Sequence, residues 1–210
     1  MKDIYNNYRN SLNKNRVIFL IIFIIFFLGL LFGSIYVTIL SNDDKKQILN
    51  SVHDYFISFN KIDLSSKFLI FKNSLIKNLI YFISIWILGI SIIGIPVILI
   101  MIFFKSFVTG FTISGIFAKY KFTGVLGIIF YLFPSNILSI VLSLFLGVYS
   151  LNISIKLARH VLSKKSLNFG LFMGKYMFLL FISILCSIIC AFFDAFLSPL
   201  LYKLFNNLLK

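Results

Sequence analysis

Two charged side chains inside otherwise apolar sequence set the chemical question. From Leu79 to Ala118 the only ionisable side chains are Lys105, in "MIFFKSFVTGFTISGIFAK", and the phenol of Tyr81. An ammonium at the centre of a bilayer costs about 3 kcal/mol or more, so it needs a compensating environment. Asp194, in "CAFFDAFLSPLLYK", is the single carboxylate within the apolar segments. Intramembrane aspartyl chemistry needs two. Proton-driven transport uses acids at mid-membrane, and Asp194 stands at the end of its segment. His53 and His160 fall on opposite membrane sides in the topology below, so they share neither a metal nor a serine. Cys186 and Cys190 are four apart on one helix face, a packing spacing rather than C-x-x-C or a zinc pattern. No P-loop and no glycine-rich nucleotide fingerprint is present. These residues predict a protein that is not an enzyme and carries no cofactor or metal.

The elements that position Lys105 and Asp194 follow from composition. Of 210 residues, 60% are hydrophobic and 12% charged, and the mean hydropathy is +1.02. Such a chain lacks the polar surface of a soluble domain. The predicted fold is all-α: one polytopic membrane helix bundle over residues 1–210, with short interfacial helices. The 20 Lys+Arg against 6 Asp+Glu fit attraction to an anionic membrane surface rather than nucleic acid, for which no aromatic-basic groove is visible.

Five apolar segments are long enough to serve as spans: Val17–Leu40, Asn78–Gly94, Val97–Ala118, Thr123–Ser150 and Leu171–Ala195. The first follows Lys14 and Arg16 as a signal peptide would, but its long core and missing small-residue cleavage site predict an uncleaved anchor. The fourth is expected to tilt or kink at Pro134. Lys2, Arg9, Lys14 and Arg16 precede the first span. Lys156, Arg159, Lys164 and Lys165 lie in the connector Leu151–Phe169, which has no acid. Both regions are expected in the cytoplasm, which places the C-terminus outside. A turn at Lys105 would leave too short a helix to cross, whereas Gly94 to Pro96 has turn chemistry. Lys105 then lies in the inner half of the third span, where it is expected to snorkel to the inner headgroups or line a cytoplasm-facing cavity. Asp194 is expected near the outer surface, too far from Lys105 to pair, capping or anchoring the link to Ser198-Pro199.

The connector 41–77 reads as two external amphipathic helices. Ser41 offers a capping start, and Ile48, Val52, Tyr55, Phe56 and Phe59 recur at helical spacing. After Asn60–Asp63 the second set is Leu64, Phe68, Phe71 and Leu75. Asp3–Leu12 and Leu200–Lys210 have the pattern of further interfacial helices. Small residues form rows at every fourth position: Ser106, Gly110, Ser114 and Ala118 in the third span, and Ser135, Ser139, Ser143 and Gly147 in the fourth. Gly29 and Gly33 add a G-x-x-x-G in the first. Such rows let helices approach closely, and the two long rows are candidates to face each other. They also leave an oligomer interface open.

The stretches "FKNSLIKNLIYFISIWILGISIIGIPVILIMIFFKSFVTGFTISG", "YLFPSNILSIVLSLFLGVYSLNISIKL" and "DAFLSP" resemble the stage II sporulation protein M family, over nearly the whole chain. Ser106 stands where the family often has Gly, and Asp194 where it often has Glu. The Pro134-Ser135-Asn136 motif is close to family forms but lacks the His-Gly of distant members. The resemblance implies a multi-pass protein of the mother-cell membrane in endospore formers. It implies a scaffold in engulfment that anchors two peptidoglycan-degrading partners, stage II sporulation proteins D and P, which carry the catalysis. A competing expectation comes from distant members of the wider family, which resemble membrane subunits of ATP-driven exporters; Asp3–Leu12 lies where a coupling helix would.

Overall fold

A computed structural model describes residues 2–58, 64–132, 135–163 and 169–208, with side chains for 16–58, 64–132, 135–161, 174 and 176–207. The elements, in order, are α1 (Lys2–Ile39), α2 (Asn42–Ser58), α3 (Leu64–Gly89), α4 (Gly94–Tyr120), α5 (Gly124–Leu132), α6 (Ser135–Ser163), α7 (Phe169–Phe192), a π-helical turn (Phe193–Leu197) and α8 (Ser198–Leu208). The fold is all-α. Among the described residues, five helical stretches are long and apolar enough to cross a membrane: Arg16–Ile39, Leu64–Gly89, Gly94–Tyr120, Ser135–Val161 and Tyr176–Asn207.

Several boundaries differ from expectation. Leu64–Leu75 is not a separate surface helix; it is the first half of α3, because nothing between Leu75 and Asn78 breaks a helix. The expected connector 41–77 therefore ends by residue 63. Thr123–Ser150 is not one span. It divides into the nine-residue α5 and the long α6, and α6 absorbs most of the connector expected from Leu151 onward. Ser150, Leu151, Asn152, Ile153 and Ser154 are buried there. The Asp3–Leu12 backbone continues directly into α1 rather than forming an independent helix. Pro134, the Asn60–Asp63 break, Lys164, Lys165 and the side chains of Asp3–Leu12 lie outside the described residues.

The turn at Gly94 is where turn chemistry placed it. α3 ends at Gly89, Gly94 N–H donates to Ser91 O (3.1 Å), and α4 begins with Pro96 in its first turn, where a missing N–H costs nothing. A side chain at Gly94 would meet the Leu88 carbonyl oxygen at 1.8 Å. At Ser41 the expected cap forms: Ser41 Oγ accepts Asp44 N–H (3.2 Å) and donates to Asp44 Oδ2 (2.6 Å).

Among the described residues, α1 and α4 make the most extensive helix contact. A methyl added at Gly110 would lie 2.2 Å from Leu30 O, one at Gly33 2.1 Å from Phe107 O, and one at Gly29 2.0 Å from Ser106 Oγ. Ser34 Oγ donates to Gly110 O (3.2 Å), and Ser114 Oγ donates to Ser34 O (3.1 Å). The row Ser106–Gly110–Ser114 thus faces the G-x-x-x-G of α1, and not the serine row of α6 that was a candidate to face it. Backbone can only approach backbone where both helices have small residues, and α1 supplies that surface.

At one end of the bundle α2, α5 and α8 form a cap. Phe56, Tyr202, Phe205 and Ile116 are its buried centre. Phe56 meets the Tyr202 ring at 5.2 Å and the Phe205 ring at 5.0 Å. Asn206 Nδ2 donates to Phe56 O (2.7 Å), satisfying a carbonyl in the last turn of α2. At the opposite end, Tyr176 clasps α7 to α3. Its hydroxyl donates to Trp86 O (2.6 Å), Trp86 Nε1 donates to Tyr176 O (3.1 Å), and the rings stack at 5.2 Å.

Candidate functional site

Pro199 decides the local shape around Asp194. Proline has no N–H and its ring crowds the carbonyl four residues back. The helix widens just before it: Ser198 N–H reaches Phe193 O, a five-residue step that makes Phe193–Leu197 a π turn. Single π turns are frequent at functional sites. This one carries Asp194, and its carboxylate is set between two other helices. Ser74 of α3 donates its hydroxyl to Asp194 Oδ2, and Ser135 of α6 donates to Asp194 Oδ1. Asp194 therefore ties α3 and α6 to the π turn. It does not serve as a local cap for Ser198-Pro199, as expected.

Lys105 reaches the same constellation from α4. Its Nζ donates to Ser139 Oγ (2.6 Å) and lies 3.3 Å from Ser139 O. It also sits 4.1 Å from the centroid of the Tyr81 ring and 4.9 Å from that of Phe82, a cation–π environment worth about 2 kcal/mol when desolvated. The snorkelling expectation is corrected: the ammonium turns toward Ser139, near the capped end of α6, because hydrogen bonds and ring faces are available inside the bundle. Ser139 Oγ donates onward to Asn78 Oδ1 (3.3 Å), and Asn78 Nδ2 lies 3.4 Å from Ser74 Oγ. Lys105 and Asp194, expected to be independent, are thus the two ends of a relay through Ser139, Asn78 and Ser74.

The relay borders a cavity of about 410 Å³. Its wall includes Asn73, Asn78, Tyr131, Asn136, Ser198 and Tyr202, besides Ser74, Ser135, Ser139 and Asp194. Asn136 positions the α5–α6 junction by donating Nδ2 to Tyr131 O (2.6 Å). Burial raises the Tyr131 phenol above its ordinary value, and the Asp194 charge adds to this, so the hydroxyl stays neutral. Of the residues singled out by sequence, Ser135, Ser139, Asn136 and Asp194 line this cavity, and Lys105 reaches its wall through Ser139. Ser106, Gly110 and Ser114 do not; they belong to the α1–α4 contact. Ser106 Oγ folds back on its own helix, 2.8 Å from Phe103 O. Pro134 lies outside the described residues. Sequence reasoning missed Ser74 and Asn78. Their signal was an i, i+4 polar pair at the start of an apolar run, matched by Ser135 and Ser139 on α6.

The site can hold charge and donate or accept hydrogen bonds: the Ser74 and Ser135 hydroxyls face the Asp194 carboxylate, and the Ser139 hydroxyl faces the Lys105 amine. Among the described residues no group of three His, Cys, Asp or Glu side chains is gathered for a metal. No curated protein and no solved structure matches the chain. The sequence model for stage II sporulation protein M matches residues 22–199, a stretch that takes in the α1–α4 contact, the whole relay and the π turn. With most of its length so matched, the chain belongs to the stage II sporulation protein M family and is a sporulation-related membrane protein.

Proposed function

We propose that the protein is a non-enzymatic scaffold of the mother-cell membrane, which anchors a peptidoglycan-degrading complex during engulfment. Stage II sporulation proteins D and P are the partners that family membership suggests. The family match over residues 22–199 carries this reading. The cap of α2, α5 and α8 supports it, because it offers a folded surface at the end that lysine and arginine placement assigns to the outside. Exposed residues of α2 such as Asn50 and Ile57 are available there for an extracytoplasmic partner.

The test is crosslinking and copurification from engulfing cells. Capture of wall hydrolases, lost when exposed α2 residues are replaced but not when lipid-facing α1 residues are, is the expected result. A second reading, a membrane subunit of an ATP-driven exporter, draws on the polar cavity within the bundle. Copurification with a soluble ATPase in place of hydrolases would establish it and displace the scaffold.

A further inference from the structure

We propose that the cavity beside Asp194 is a binding site for a primary ammonium group. The inference is independent of the scaffold reading and rests on an excess of acceptors around an anion. Among the described residues, the hydrogen-bond partners of the Asp194 carboxylate are two neutral hydroxyls, Ser74 and Ser135. A carboxylate offers about four acceptor positions, so about two stay open. Both serines have donated their protons to it; Ser74 Oγ also accepts Asn78 Nδ2, and Ser135 keeps its oxygen lone pairs. Asn136 spends an amide proton on Tyr131 O and retains its carbonyl oxygen. The internal cation is committed elsewhere: Lys105 holds Ser139 and the faces of Tyr81 and Phe82, with Ser139, Asn78 and Ser74 between it and the carboxylate.

An ammonium fits this geometry better than the alternatives. A tripod of N–H donors can use one lone pair from each oxygen and a serine. A quaternary ammonium has no donor to offer. The volume of about 410 Å³ admits an aliphatic stem and water, at about 30 Å³ per water, and is far larger than a bare metal ion needs. Asn73 and Lys77 line the cavity and are exposed, which marks them as its mouth. Lys77 opposes an entering cation and so acts as a brake on affinity. A free small amine and the ethanolamine headgroup of a lipid present the same chemistry.

The experiment uses the full chain in phosphatidylcholine nanodiscs, which supply no primary ammonium. Cys186 and Cys190 are replaced by serine, and Asn73→Cys reports occupancy by its rate of reaction with neutral iodoacetamide. Ethylammonium chloride should slow labelling saturably, about fourfold at three times its Kd. Choline and sodium chlorides at equal concentration should not. Asp194→Asn should abolish the protection, and Asp194→Glu should keep it. Lys77→Gln should lower the concentration needed, and this variant decides the matter if Asp194→Asn proves unfolded by its thermal midpoint. Slowing in discs that contain phosphatidylethanolamine, without added amine, identifies a lipid headgroup as the source; slowing by soluble amine alone identifies a free amine. The proposal is overturned by no saturable slowing in either arm, by equal protection from choline or sodium, by protection that survives Asp194→Asn, or by a Lys77→Gln variant that binds no better.

Discussion

Lys105 and Asp194 show how a membrane protein accommodates charge with neutral partners. The ammonium is solvated by Ser139 and two aromatic faces, the carboxylate by Ser74 and Ser135. The two ends are not energetically equal. In Lys105→Met the stem volume is kept, the desolvation of the charge disappears with it, and Ser139 still has Asn78 as partner. That change is expected to alter stability by less than about 1 kcal/mol. Asp194→Asn is expected to cost about 1–3 kcal/mol, because an amide has one acceptor oxygen where the two serines need two. Denaturant unfolding of the purified protein in micelles measures both. A larger loss for Lys105→Met than for Asp194→Asn would show that the relay is held at the lysine end. Neither role was legible from Lys105 or Asp194 alone, since the residues that solvate them, Ser74, Asn78 and Ser139, come from two other helices and are chemically ordinary.

At the scale of elements, the contact between α1 and α4 makes the sharpest claim. The Leu30 carbonyl would lie 2.2 Å from a methyl at Gly110, while a methyl at Gly174 meets nothing within 4 Å. Gly110→Ala should therefore force the backbones apart and cost about 2 kcal/mol or more. Gly174→Ala should be neutral or stabilising by up to about 1 kcal/mol through helix propensity. Folded yield after membrane extraction, with thermal midpoints, separates them; equal behaviour would contradict the close approach. The small-residue rows were legible in the sequence, and so were the turn at Gly94 and the cap at Ser41, because each depends on residues near one another in the chain. The pairing of the rows was not. A row of Ser and Gly says that a helix comes close without saying which one. The start of α3 was misplaced for a related reason: Lys67, Lys72 and Lys77 lower the hydropathy of Leu64–Lys77, but they do not interrupt a helix whose next turn is already formed.

For the molecule as a whole, the number of spans and the all-helical class were readable because hydropathy and length act independently of packing. The cap was half readable. α2 and α8 showed amphipathic spacing, but their union through Phe56, Tyr202 and Phe205 is long-range, and α5 was hidden inside an apolar run. Five crossings put α2 and α8 at the same end of the bundle, away from the end where α6 meets the connector to α7. Lysine and arginine placement assigns the α2 and α8 end to the outside. In a variant with Cys186→Ser and Cys190→Ser, Asn50→Cys on α2 and Asn207→Cys on α8 should both react with a membrane-impermeant thiol reagent on intact cells. Both positions are exposed, and they should label together because they belong to one cap. Ser163→Cys, at the far end of α6, should label only after the membrane is permeabilised. Labelling of Ser163→Cys alone in intact cells would invert the orientation and leave the fold untouched. Labelling of Asn50→Cys without Asn207→Cys would break the cap itself, since Asn206 Nδ2 holds Phe56 O at 2.7 Å and the two helices cannot then lie on opposite sides.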